Sequence, residues 1–181
     1  MKKWLTFIII SILSNNVFAG PNSILINEDE AIKHVKGYQE FIATRDIERE
    51  NYRRRISRES QILREKLEKF KYNSSTMSPT IKQTEEDELK KYSNVVRKLD
   101  FRLKSEIDVR SEKARAKLVI KLKKEIKLYG KRKKIKAIFN NRSDKVLYRA
   151  LGVSPLQVKV LMQEKNIADY TEKFCLELDK K

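Results

Sequence analysis

Between Gly37 and Gly130 the apolar residues fall at helical spacing, interrupted once by the polar stretch Tyr72–Thr80. In the first half Tyr52, Ile56, Leu63 and Phe70 step by four and seven. Ile62 and Leu67 thicken that stripe, and the charged Glu59 and Lys66 stand at the skipped seam positions. In the second half Leu89, Tyr92, Val96, Leu99 and Leu103 step by three and four, a heptad seam. Ile107 follows at a stutter, and Ala114, Leu118, Leu122, Ile126 and Tyr129 continue the line. The pattern predicts two long helices, roughly 28–71 with a hitch at Gly37 and 82–129, folded back as an antiparallel coiled-coil hairpin. At 1.5 Å per residue each limb would reach about 65–70 Å. Thr80 with Gln83, or Thr84 with Asp87, offers the cap of the second helix. Glu85–Glu88 would then lie in its first turn, at the positive end of the helix dipole. The seam carries about one apolar residue per turn, so the hairpin needs a supporting body.

The two ends of the chain read as that body. Ser23–Ile26 is a short strand, Ile135–Phe139 a second, and Lys145–Tyr148 a third, paired with the second over the polar turn Asn140–Asp144. The hairpin must leave a small sheet and return to it. Three such short strands are barely stable alone, which favours burial against further copies of the chain. Ile24, Leu25, Ile26, Ile138, Phe139, Val146, Leu147 and Tyr148 are the expected sheet core and oligomer contacts. Leu156–Met162 is a further amphipathic piece, and Asp169–Leu178 reads as a capped closing helix packed on the sheet. The fold class is mostly α: residues 20–181 form one domain, with a body from 20–36 and 130–181 and an arm from 37–129 turning at 72–80.

The N-terminus changes what the charge means. Met1-Lys2-Lys3, the apolar run Trp4–Leu13 and the small-residue exit Val17-Phe18-Ala19 before Gly20 make a secretory signal peptide over residues 1–19. The run is too short to span a bilayer, which takes roughly 20 apolar residues. No cysteine stands directly after the junction, so no lipid anchor is expected, and the mature chain should be periplasmic and soluble. Lys and Arg total 42 against 25 Asp and Glu, and losing Lys2 and Lys3 takes the net charge from +17 to +15. In the cytosol such a surplus would point to nucleic acid. In an exported protein it points instead to acidic polypeptides, anionic glycolipid or a membrane surface.

Catalytic chemistry finds little support. His34 is the only histidine and Cys175 the only cysteine, so no disulfide can form within the chain and no thiol pair exists. Cys175 reads as a small core residue, with cross-linking of subunits an open alternative. Glu28–Glu30 and Glu85–Glu88 lack the spacing of a calcium loop and suit helix starts better. No glycine loop for phosphate, no metal-ligand set and no nucleophile–base arrangement is present, so neither cofactor nor enzyme activity is expected.

The order of signal, early strand, long charged hairpin, strand pair and last helix resembles the periplasmic chaperone family called Skp or OmpH-like. The closest local likeness lies in Ile135–Tyr148 and in Asp169-Tyr-Thr171 followed by Phe174, Leu176 and Leu178. Two features depart from it. Arg149–Ala168 is longer than that family's usual connection, and the early strand runs into acidic Asn27–Glu30. The resemblance implies three subunits joined through their sheets, with the hairpins around a cavity that holds unfolded outer-membrane proteins. Without ATP in that compartment, binding would be passive, by mass action.

On that reading the arm cations Arg53, Arg54, Arg55, Arg58 and Arg64, with Arg110, Lys113, Arg115, Lys117, Lys121 and Lys124, draw in acidic unfolded chains. Lys123 and Lys127 join the second set, opposed only by Glu112 and Glu125. Tyr72, Met77 and Ile81 at the arm tip, with seam residues, would add weak apolar contacts. Other readings are a solvated helix face, an exported coiled-coil scaffold or adhesin without chaperone activity, and a protein that coats anionic lipid.

Overall fold

The computed structural model of the chain describes residues 21–164 and 166–180. The expected signal peptide and its Ala19–Gly20 junction lie outside them. The elements run β1 (Ser23–Ile26), α1 (Glu28–Ala31), a 3₁₀ turn (Ile32–His34), α2 (Tyr38–Asn73) and α3 (Pro79–Arg132). They continue with β2 (Ala137–Asn140), β3 (Val146–Arg149), α4 (Pro155–Met162) and α5 (Thr171–Asp179). The chain divides into two compact units. The arm is Gln39–Ala116, and the body comprises the described residues up to Tyr38 and from Lys117 onward.

In the arm, α2 and α3 pair antiparallel, as the seam predicts. Glu48 meets Arg110, Tyr52 meets Asp100 and Glu59 meets Tyr92, so partners fall on α3 as they rise on α2. Val96 and Ile107 are buried, while Leu89, Leu99, Leu103, Tyr52, Ile56, Leu63 and Phe70 are half-buried. Leu67, expected to thicken the stripe, is instead 47% exposed.

The two helices differ in length, α2 with 36 residues and α3 with 54, about 54 and 81 Å, because α3 runs on past the end of the arm at Ala116. Gly37 holds φ at +99°, outside what a helix allows, so α2 cannot run on from α1. At the other end Leu118, Leu122, Ile126 and Tyr129 are all buried, and they carry α3 onward as part of the body. The cap also differs from the expected threonines. The Ser78 carbonyl accepts the first helical bond, from the Lys82 N–H at 2.9 Å, and Pro79 takes the first helical position. Thr84 bonds back to the Thr80 carbonyl inside the helix. The first turn of α3 therefore carries no acid, and Glu85–Glu88 lie deeper. There Glu85 and Glu88 line a cleft with Lys66 and Lys69.

The body sheet has the order β1-β2-β3, with β1 parallel to β2 and β2 antiparallel to β3. On its other edge β1 is met by the chain at Asp169. Leu25 N–H donates to the Ala168 carbonyl and Tyr170 N–H donates to the Leu25 carbonyl, both at 2.9 Å. Ile24, Ile26 and Ile138 are fully buried on one face of the sheet. Ala137 and Phe139 face the other way, against Val158 and Leu161 of α4. The sheet's second face is thus covered within one chain, by the amphipathic piece that the spacing marked. Val146, expected in the core, lies on edge strand β3 at 42% exposure. Leu25, Leu147 and Tyr148 are half-buried.

β2 begins two residues later than expected because α3 ends in a tight wrap. Lys134 N–H bonds the Lys131 carbonyl and Ile135 N–H bonds the Gly130 carbonyl, with Lys134 at φ +53°. α5 packs against β1 and α1, and Phe174 meets Tyr129 edge-on at 5.1 Å. Asn27 caps α1 through the Asp29 and Glu30 N–H groups, so Glu28–Glu30 are helix-start acids, as expected.

Candidate functional site

The first candidate cations, Arg53, Arg54, Arg55, Arg58 and Arg64, are all exposed on α2. Arg110, Lys113, Arg115, Lys117, Lys121 and Lys124 are exposed on α3. Arg54 pairs with Glu50 at 3.0 Å, Arg110 with Glu48 at 3.1 Å, and Lys121 donates to the Lys36 carbonyl at 3.3 Å. Among the described residues, Arg53, Arg55, Arg58, Arg64, Lys113, Lys117 and Lys124 have no carboxylate within ion-pair distance. The structure divides the set. Lys117, Lys121 and Lys124, with Lys123 and Lys127, belong to the body, because that part of α3 buries Leu118, Leu122 and Ile126.

Two of the arm's acids are held by tyrosines rather than by cations. Tyr92 donates to Glu59 at 2.7 Å and Tyr52 donates to Asp100 at 2.6 Å. Lys66 lies 5.5 Å from the centre of the Tyr92 ring. One tyrosine thus accounts for both charged seam positions: its hydroxyl holds Glu59 and its face holds Lys66. The hydrogen bonds to Asp100 and Glu59, followed by burial, raise the Tyr52 and Tyr92 phenols above their ordinary value. The α2–α3 pairing is a polar clasp as much as an apolar seam.

At the turn, Tyr72 is 86% exposed, Ile81 is exposed and Met77 is half-buried. Sequence reasoning missed a further set. Ile47, Val95, Phe101 and Val109 are exposed, Phe101 at 76%. At 100° per residue the last three fall within about a third of the α3 circumference. Their signal was available, because they are the apolar residues that fall out of the heptad register. The arm therefore presents apolar groups and unpaired cations together, the surface an extended acidic and apolar chain would meet.

His34 approaches Asp179 at 2.9 Å in the body. Cys175 is buried, and burial pushes its thiol pKa up to about 11, leaving it protonated and unreactive near neutral pH. Among the described residues no group of His, Cys, Asp and Glu could hold a metal ion. Among those residues, too, no helix is long and apolar enough to cross a membrane.

No curated protein and no solved structure matches the chain. The family described as Outer membrane protein (OmpH-like) does match, over residues 23–153, from the first residue of β1 to the turn before α4. That family is periplasmic and non-enzymatic; its members oligomerise and bind outer-membrane proteins. The matched span holds β1, both long helices and the β2–β3 pair, and the chain belongs to this OmpH-like family, with the chaperone-type role that membership implies.

Proposed function

We propose that the protein is an ATP-independent periplasmic holdase that binds unfolded outer-membrane proteins and keeps them from aggregating before insertion. The observation that carries this reading is the arm surface. Arg53, Arg55, Arg58 and Arg64 are exposed without ion pairs, close in sequence to apolar groups that the α2–α3 pairing leaves in solvent. Unfolded barrel strands alternate apolar and polar residues and aggregate in water. Long-range attraction would gather their acidic segments, and Tyr72, Met77, Ile81, Ile47, Val95, Phe101 and Val109 would give shallow, exchangeable apolar contacts. Passive capture lowers the free concentration of unfolded client by mass action, with no nucleotide cycle.

In this reading the signal peptide at 1–19 delivers the chain to the periplasm, and copies join through their bodies as a homotrimer that encloses the client between arms. Because α4 covers the Phe139 face and Ile24, Ile26 and Ile138 are buried in one chain, edge strand β3, with Val146, Leu147 and Tyr148, supplies the contact.

The test is light scattering of an unfolded outer-membrane protein diluted from urea with and without the chaperone. The protein should suppress aggregation, and Arg53, Arg55, Arg58 and Arg64 all replaced by Gln should weaken suppression about tenfold at low salt. Raising the salt should weaken the native protein toward the variant. Salt-independent suppression, or none, would overturn the proposal and leave the scaffold reading in place.

A further inference from the structure

Near the turn of the arm the seam loosens. α2 buries none of its residues fully, and on α3 none is buried between Pro79 and Val96. Between the helices there lies a cleft of about 310 Å³. Its apolar floor is Phe70 from α2 with Leu89 and Tyr92 from α3, all half-buried. α2 lines it further with Lys66 and Lys69, and α3 with Glu85 and Glu88.

These opposite charges face each other without closing. Glu59 meets Tyr92 at 2.7 Å, so seven residues nearer the turn on each helix Lys66 comes opposite Glu85. Lys66 instead lies over the Tyr92 ring, 5.5 Å from its centre. Among the described residues Lys66, Lys69, Glu85 and Glu88 form no ion pair. The rim is electrically balanced, unlike the stretch that carries Arg53, Arg55, Arg58 and Arg64. A balanced rim exerts little long-range pull on acidic segments. What it offers is directional: ammonium groups that only donate from α2, and carboxylates that only accept from α3. An extended backbone presents both C=O and N–H groups and needs partners of both kinds.

The volume sets the size of the guest. About 310 Å³ is at the lower end of ligand sites, room for one large side chain rather than a helix or a folded surface. Two of the three floor residues are aromatic, and a third ring packs on them edge-to-face or offset. Membrane-barrel strands supply such rings, because they carry aromatic girdles and alternate apolar with polar positions.

We propose that the cleft holds one aromatic side chain of an extended, uncharged segment of unfolded chain, with the flanking peptide groups bonded to the charged rim. On the holdase reading, on which this site rests, the arm then captures clients in two ways. Its unpaired arginines gather acidic segments from a distance, and the cleft grips a ring once the chain has arrived.

The experiment titrates the purified protein with a short, end-capped fluorescent peptide of Ser, Thr and Asn around one central Phe, read by anisotropy. A second peptide carries photoreactive benzoylphenylalanine in place of the Phe. Saturable binding of one peptide per chain is expected, with cross-links confined to residues 66–73 and 85–92. The affinity should change by less than about twofold between low and high salt, because the peptide carries no charge. Leu in place of the Phe should weaken binding about threefold, and Ser at least about tenfold. Glu88→Trp, at an exposed rim position, lays the chain's own ring over the floor. It should abolish binding while the Tm stays the same or rises, so the loss cannot be blamed on misfolding. Glu85→Gln with Glu88→Gln should weaken binding about fivefold, by taking the charge from the acceptors. Replacing Arg53, Arg55, Arg58 and Arg64 by Gln should leave peptide binding unchanged, which separates the two modes of capture. Equal binding of the Ser peptide, steep loss with salt, cross-links elsewhere or indifference to Glu88→Trp would each overturn the proposal. So would an affinity that falls as the protein is concentrated, the sign of a second copy's ring in the cleft. Suppression of client aggregation without peptide binding would remove this site and keep the holdase reading; peptide binding without suppression would do the reverse.

Discussion

Leu103 and Leu122 both lie on the apolar line of one continuous helix, α3, yet Leu103 is half-buried in the arm and Leu122 is fully buried in the body. The same contrast holds generally. Among the described arm residues only Val96 and Ile107 are buried, whereas the body completely buries Ile24, Ile26, Ile138, Leu122 and Ile126. The arm makes up part of the difference with tyrosine–carboxylate hydrogen bonds, which work at a half-wet interface where apolar packing is thin. A limb held this way leaves much of its surface uncommitted, while the body can act as its stable anchor.

Truncating the two leucines gives the largest test of that contrast. Alanine is the best helix former, so propensity does not confuse the comparison. Leu122→Ala should cost about 3–5 kcal/mol, as a fully buried leucine does. Leu103→Ala should cost about 1–2 kcal/mol, because less surface leaves water. Chemical denaturation measures both, and equal losses would mean that the arm is packed as tightly as the body.

How much of this could be read from the sequence depended on whether a signal was periodic or geometric. The hairpin, its turn and the three strands were legible because Leu89–Leu103 keep a heptad and Ser23–Ile26 and Lys145–Tyr148 are short runs between polar segments. The end of the arm on α3 was not, because the helical pattern shows no change at residue 117, where α3 passes from arm to body. Ser78 lost to the threonines as a predicted cap because several polar residues crowd that turn, and only backbone geometry chooses among them. Glu59 and Lys66 looked like flaws in a stripe until their shared partner, Tyr92, was in place. The arm cations were found from composition alone. The apolar set around Phe101 lies outside the heptad register, so the seam that marks the hairpin does not mark it.

An intermediate effect is expected at α4, the body element outside the family match. Ser154 and Gln157 form a reciprocal capping box with Pro155 at the first helical position. Ser154→Ala should cost about 1 kcal/mol. If α4 secures the sheet's second face, hydrogen exchange should quicken at Ala137 and Phe139 as well as along 155–162, with the arm unchanged. Faster exchange confined to 155–162 would show that the sheet does not depend on its cover.

The smallest effect tests the clasp itself and separates arm from body by pH. Tyr52 is raised by its hydrogen bond to Asp100, so the clasp is fully present below the ordinary tyrosine value of 10.0 and is lost as pH climbs through the higher folded value. The body's Glu177 is lowered, first by its hydrogen bond from Lys133, so its contribution is present above 4.5 and lost as pH falls. Burial also raises Tyr129 and Tyr148 in the body, so alkali loosens both units and a variant is needed to isolate the arm. Tyr52→Phe keeps the ring and removes the donor, a loss of about 1 kcal/mol near pH 8. As pH rises well above 10.0 and the native hydroxyl ionises beside Asp100, variant and native Tm values should converge. A gap that stayed the same throughout would mean that the Tyr52 hydroxyl does not hold α2 to α3.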